Sequence, residues 1–110
     1  MQVDYTKLRF MLGESIDKIR KFISKDFVHG HTSNTVRRYL TDEFRSVESL
    51  MLGVLSEEDE PGDRALMKEV LMACNSVKQN RITNKLTVVE YVDLCYKALK
   101  VLEVYYEDLS

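Results

Sequence analysis

Leu86-Thr87-Val88-Val89-Glu90-Tyr91-Val92-Asp93-Leu94-Cys95-Tyr96-Lys97-Ala98-Leu99-Lys100-Val101-Leu102-Glu103-Val104-Tyr105-Tyr106-Glu107-Asp108-Leu109 carries its own start signal and no internal Gly or Pro. Thr87 and Glu90 have the spacing of a capping box, in which a hydroxyl and a carboxylate each accept one of the free N–H groups of a first turn. Leu86 and Tyr91 stand where a hydrophobic staple would close around it. Val88, Tyr91, Val92, Cys95, Leu99, Leu102, Tyr106 and Leu109 then recur at three- and four-residue steps. That period marks one apolar face of a helix over residues 88–109.

The same period runs back through the chain. Leu66, Val70, Ala73, Cys74 and Val77 predict a helix over about 63–81, with Asp63 as its cap. Val36, Tyr39, Leu40, Val47, Leu50, Met51 and Val54 predict one over about 34–55, with Thr32, Ser33 and Asn34 as capping oxygens. Tyr5, Leu8, Leu12, Ile16, Ile19, Ile23 and Phe27 predict one over about 4–28. There Asp4 caps, Val3 and Leu8 staple, and Gly30 closes in a left-handed conformation. The acidic stretch from Ser56 to Asp63, containing Pro61-Gly62, reads as a loop, and 80–85 as a short connection. Four helices with short connections predict an all-α antiparallel four-helix bundle, one domain over 1–110. The alternative is a partly open bundle completed by a second chain.

Composition agrees. A chain of 110 residues buries enough surface for a core without staples. Its apolar fraction of 45% is that of globular proteins, and one Pro with four Gly leaves little room for a loop-rich or all-β fold. Cys74 and Cys95 form neither a disulfide framework nor a zinc motif, and read as reduced core thiols. No apolar run reaches the roughly 20 residues that span a membrane, and the polar, acidic start Met1-Gln2-Val3-Asp4 is no signal peptide. A cytoplasmic protein is expected.

Charge is unevenly placed. Lys18, Arg20, Lys21, Lys25, Arg37 and Arg38 crowd one stretch; Glu57, Glu58, Asp59, Glu60 and Asp63 crowd another. Threaded through an up-down bundle, one end collects Lys25, His29, His31, Arg37, Arg38, Lys78, Arg81 and Lys85 together with two helix N-termini. Such ends favour anions. A phosphate-binding site is therefore expected from Arg37, Arg38, Arg81, Lys85, His31 and Thr35. The opposite end collects the acidic loop with Glu103, Glu107 and Asp108. Ordinary dipole matching accounts for Lys25, Lys78 and Arg81, but not for Arg37 and Arg38 near a helix start, nor for Glu103, Glu107 and Asp108 near a helix end.

Helical geometry also sets apolar residues off the core face. Phe10 lies opposite the first stripe and Val104 opposite the last. Leu94, Val101 and Tyr105 form a second seam on the last helix, expected to cover a partner or, alternatively, to face a neighbouring helix of the same bundle.

Catalytic patterns are incomplete. His29 and His31 lack the further ligands a metal needs. Glu90-x-x-Asp93 resembles half of the metal-binding pattern of all-helical nucleotide pyrophosphohydrolases. The Glu-Glu-x-x-Glu of that family is missing, because Pro61 stands three residues after Glu58. No base is predicted beside either cysteine, and there is no glycine-rich phosphate loop. The expectation is a non-enzymatic binding protein without cofactor. It would be an interaction or assembly module that self-associates through Phe10, Leu94, Val101, Val104 and Tyr105, or alternatively a regulatory protein that binds nucleotide or RNA phosphate at the basic end. Asp42, Glu43 and Glu48 on the second helix argue against entry into a DNA groove.

Overall fold

A computed structural model describes residues 4–55 and 62–109. The described residues are all-helical, in five elements: α1 (Tyr5–Phe22), α2 (Lys25–Gly30), α3 (Ser33–Leu55), α4 (Arg64–Thr83) and α5 (Val88–Asp108). Val3 and the acidic stretch from Ser56 to Glu60, with Pro61, lie outside the described residues.

The helix expected over 4–28 is two helices. Ser24 breaks it: its backbone is extended (φ −65°, ψ 151°), its hydroxyl donates to the Lys21 carbonyl at 2.7 Å, and its oxygen accepts from the Phe27 N–H at 3.3 Å. One serine thus satisfies an orphan acceptor of α1 and an orphan donor of α2, so the break costs little. Gly30 is not the left-handed terminus expected of it. It is the last residue of α2, and His31 ends the helix with an extended backbone (φ −134°, ψ 159°).

The other starts are set locally. Asp4 accepts from the Lys7 N–H, Thr32 from the Thr35 N–H, and Asp63 from the Ala65 and Leu66 N–H groups. Both halves of the Thr87–Glu90 capping box are formed. α4 runs two residues past the expected 81 and ends at Asn84, whose left-handed φ of 53° suits Asn better than any branched side chain.

α1 packs on α3 and α5, α4 packs on the same two helices, α3 also touches α5, and α2 bridges α1 and α3. The body measures 43 × 25 × 18 Å, its long axis a little more than the roughly 35 Å rise of a 23-residue helix. One continuous core includes Leu12, Ile19, Leu40, Phe44, Met51, Met67, Tyr91 and Leu102. Each such side chain contributes about 1.5–3 kcal/mol by leaving water. Tyr5 and Tyr39, assigned to core stripes by period, are 45% and 40% exposed, while Thr41 and Phe44 take core positions on α3.

The buried Thr41 and Arg37 side chains are paired. The Thr41 hydroxyl donates to the Arg37 carbonyl at 2.7 Å and accepts from the Tyr91 hydroxyl at 2.6 Å. Burial pushes the Tyr91 phenol up to about 12, so the group stays a neutral donor. Burial likewise pushes the Cys74 and Cys95 thiols up to about 12, which keeps them protonated and poorly nucleophilic.

Candidate functional site

The basic end is assembled from α1's last turn, α2, the start of α3, the end of α4 and the α4–α5 connection. Arg37 is the residue most altered by the tertiary structure. It is 8% exposed, and its guanidinium is engaged with the fold. Nε donates to the Ser33 hydroxyl at 3.1 Å, one terminal nitrogen to the Asn84 side-chain oxygen at 3.1 Å, and the other to the Leu86 carbonyl at 2.7 Å. Arg81 donates to the Asn34 side-chain oxygen at 2.9 Å. Both arginines therefore bolt the start of α3 to the end of α4. Arg37 is unfavourable for its own helix start, yet it lies beside the C-terminal end of α4, where positive charge is favoured.

The helix N-termini at this end are capped by their own side chains. The Thr35 N–H goes to Thr32, whose hydroxyl also donates to the Thr35 hydroxyl at 2.9 Å. Thr87 accepts from the Glu90 N–H, and Glu90 accepts from the Thr87 N–H at 3.0 Å. Those backbone bonds hold the Glu90 carboxyl below the usual carboxylate range. A phosphate here would meet helix starts that already carry a side-chain cap. Of the expected set, Arg38, Lys85 and His31 keep exposed side chains.

His31 belongs to an aromatic cluster that the charge pattern did not disclose. Its ring stacks on Phe27 with centroids 4.1 Å apart and planes 26° apart. Its Nδ1–H donates to the Phe27 carbonyl at 2.8 Å, which fixes both ring and tautomer. Phe27 meets Phe22 at 5.0 Å and the Tyr39 ring edge-on at 5.7 Å, and Phe22 meets Tyr39 at 5.2 Å. The Arg38 guanidinium sits 5.4 Å from the Tyr39 ring centre. The Phe27–His31 spacing of four was the sequence signal; Tyr39 entered only through packing.

Around this cluster the charge is one-sided. Between residues 18 and 38 six side chains are Lys or Arg, and Asp26 is the one acid, in a chain of net charge −2. Arg20 is bound to Asp17 and Glu103, and Arg37 is buried. Lys18, Lys21, Lys25 and Arg38 are exposed and form no ion pair among the described residues.

The apolar interface expected on the last helix is largely used by the fold itself. Tyr105 is fully buried and is no part of a free surface, a correction to its assignment as a partner contact. Leu94 and Val101 are half-buried, and Val101 packs against the core. The seam faces inward because α5 touches three other helices, so a wide arc of its surface is covered. Phe10 and Val104 remain outside, 65% and 54% exposed, on different helices.

The opposite end mirrors the Arg37 arrangement. Asp108, misplaced for the end of α5, accepts from the Asp63 N–H at 2.7 Å, at the start of α4. Glu103 bridges α5 to α1 by accepting from Arg20, and faces Lys100 at 3.3 Å. The bond from Arg20, ahead of the contribution from Lys100, holds the Glu103 carboxyl below its usual range. Among the described residues, no group of three or more His, Cys, Asp or Glu is placed to hold a metal ion, and no helix is long and apolar enough to cross a membrane. Compared with known proteins, the chain matches no family model, and no curated protein or solved structure is significantly similar to it.

Proposed function

We propose that this chain is a non-enzymatic binding protein whose four long helices form an antiparallel bundle and whose α1–α2–α3 corner binds a phosphate-bearing ligand, a nucleotide or RNA. One observation carries the reading: Lys18, Lys21, Lys25 and Arg38 are exposed and without ion pairs among the described residues, around an aromatic cluster, in a chain that is acidic elsewhere. Unpaired cations gathered on one corner of an acidic protein create a local positive field that draws in polyanions. The corner differs from the site read in the sequence, because Arg37 and Arg81 serve the fold and Lys18 and Lys21 take their place. The test is retention on a polyanionic matrix such as heparin at rising salt. The parent chain should elute later than the triple variant Lys18→Gln, Lys21→Gln, Lys25→Gln at equal helicity by circular dichroism. Equal elution would remove the reading.

A second reading, self-association, rests on Phe10 at 65% and Val104 at 54% exposure. Light scattering across a concentration series tests it; a monomer at every concentration and salt level would exclude it.

A further inference from the structure

We propose that the α1–α2–α3 corner binds single-stranded nucleic acid, an unpaired base stacking on the Tyr39 and His31 rings while Lys18, Lys21, Lys25 and Arg38 hold the flanking phosphates. The proposal rests on the phosphate-binding reading above and names what that ligand must also carry.

The rings at this corner are immobilised. Phe22 and Phe27 are half-buried and packed against the core, so they form a floor fixed by the fold. Tyr39 and His31 are the outer members, and each is held by that floor, Tyr39 by both phenylalanines and His31 by the stack on Phe27 and the bond from Nδ1. A base laid on a ring that is already fixed loses little further freedom in the protein, which is where stacking gains its affinity. The His31 ring is exposed and uses one face against Phe27, and Tyr39 is 40% exposed with the Arg38 guanidinium lying over its ring. Aromatic faces interleaved with Lys and Arg are the pairing that non-sequence-specific strand binding needs, because every base has a π-face and every linkage a phosphate.

The phosphates would be held by side chains. The Thr35 and Glu90 N–H groups are taken by the Thr32 and Thr87 hydroxyls and the Thr87 N–H by Glu90, so part of the backbone donor set at these helix starts is already occupied. Lys18 and Phe22 are four residues apart on α1 and share a face, which sets a cation one turn from the ring floor. Lys25 opens α2 on the other side of Phe22, and Arg38 adjoins Tyr39. A duplex satisfies this arrangement poorly, because its bases are stacked on one another and withheld from protein rings.

The experiment is fluorescence anisotropy of the full chain at low, stated salt, with an end-labelled oligouridylate, an abasic strand of equal length, an oligothymidylate and a duplex. Oligouridylate is expected to bind more tightly than the abasic strand or the duplex. Tyr39→Leu should weaken it about tenfold, within the roughly 5- to 150-fold that one stacked base contributes, without changing the salt slope. Tyr39→Phe, which keeps the ring, should bind like the parent. Lys21→Gln should reduce the slope of log K against log salt by about 0.7. Oligothymidylate binding equally assigns the corner to single strands in general, and weaker binding assigns it to RNA; either supports the proposal. Equal binding of the abasic strand, tighter binding of the duplex, or an unchanged Kd in a folded Tyr39→Leu would overturn stacking and leave the phosphate reading standing. Absence of binding to every strand, with no retention on heparin, would overturn both.

Discussion

At one end of the molecule Arg37 sits near the start of α3, and at the other Asp108 closes α5. Each charge is unfavourable to the dipole of its own helix, and each reaches the helix beside it. Arg37 donates to Asn84 and Leu86 just past the end of α4, and Asp108 accepts from the Asp63 N–H at its start. α4 is therefore gripped at both ends by charges from its neighbours. The two grips differ in burial. Among the described residues, Arg37 is 8% exposed and its side chain makes three hydrogen bonds, whereas the Asp108 side chain is exposed and makes one. The same electrostatic rule thus acts with different weight, since desolvation strengthens a bond and raises the cost of leaving its partner unpaired.

The largest expected effect follows from removing the buried grip. Arg37→Ala should lower stability by about 2–3 kcal/mol, through lost charge-assisted bonds and a carbonyl at Leu86 left without its donor. In a domain this small the melting temperature would fall by roughly 10–20 °C. Arg37→Lys should recover only part of it, because one ammonium cannot span Ser33, Asn84 and Leu86 together. A loss below about 0.5 kcal/mol in urea titration would mean that the clamp contributes no more than a surface contact.

Asn84 separates the bond from the backbone. Asn84→Gly and Asn84→Ala both lose the acceptor for Arg37, but only Gly adopts φ 53° without strain. Ala should therefore be the less stable variant by about 1 kcal/mol, measured as the difference between their denaturation midpoints.

At the exposed end, Asp108→Ala should cost only about 0.3–1 kcal/mol, the range of a surface charge at a helix start. If thermal melts show it costing as much as Arg37→Ala, burial is not what distinguishes the two ends.

The smallest effect concerns pH. The Glu103 carboxyl is depressed in the fold by Arg20, so the unfolded chain binds its proton more readily. The pair's contribution is complete above the unfolded value of about 4.3 and is lost as pH falls from there through the lower folded value. Arg20 is about half exposed, at 54%, so solvent screening limits the effect to under about 1 kcal/mol. Urea midpoints at pH 7 and pH 3 should differ less in Arg20→Gln than in the parent; an unchanged difference would remove Glu103 from the acid sensitivity.

Legibility in the sequence followed the range of the interaction. The Thr87–Glu90 box and the Asp63 cap join residues two or three apart, and both form as their spacing predicts. Ser24 was missed although its bonds are equally local, because the apolar period of α1 continues through Ile23 and Phe27 and conceals the cap. The seam of Leu94, Val101 and Tyr105 was visible as a pattern, but a pattern cannot tell a neighbouring helix from a second chain. For the candidate site, the basic stretch was legible, while the choice of cations was not.

By itself the sequence determined that the chain is helical, where most helices begin, and which face of each is apolar, because capping and periodicity act within a turn or two. Only the tertiary structure decided what the charges do. Arg37 and Asp108 find partners 45 to 49 residues away, and Tyr39 joins Phe22 and Phe27 across three elements. The field at a charge is the sum over everything brought near it, so a side chain opposed to its own helix can be matched to the next, and no spacing along the chain records that.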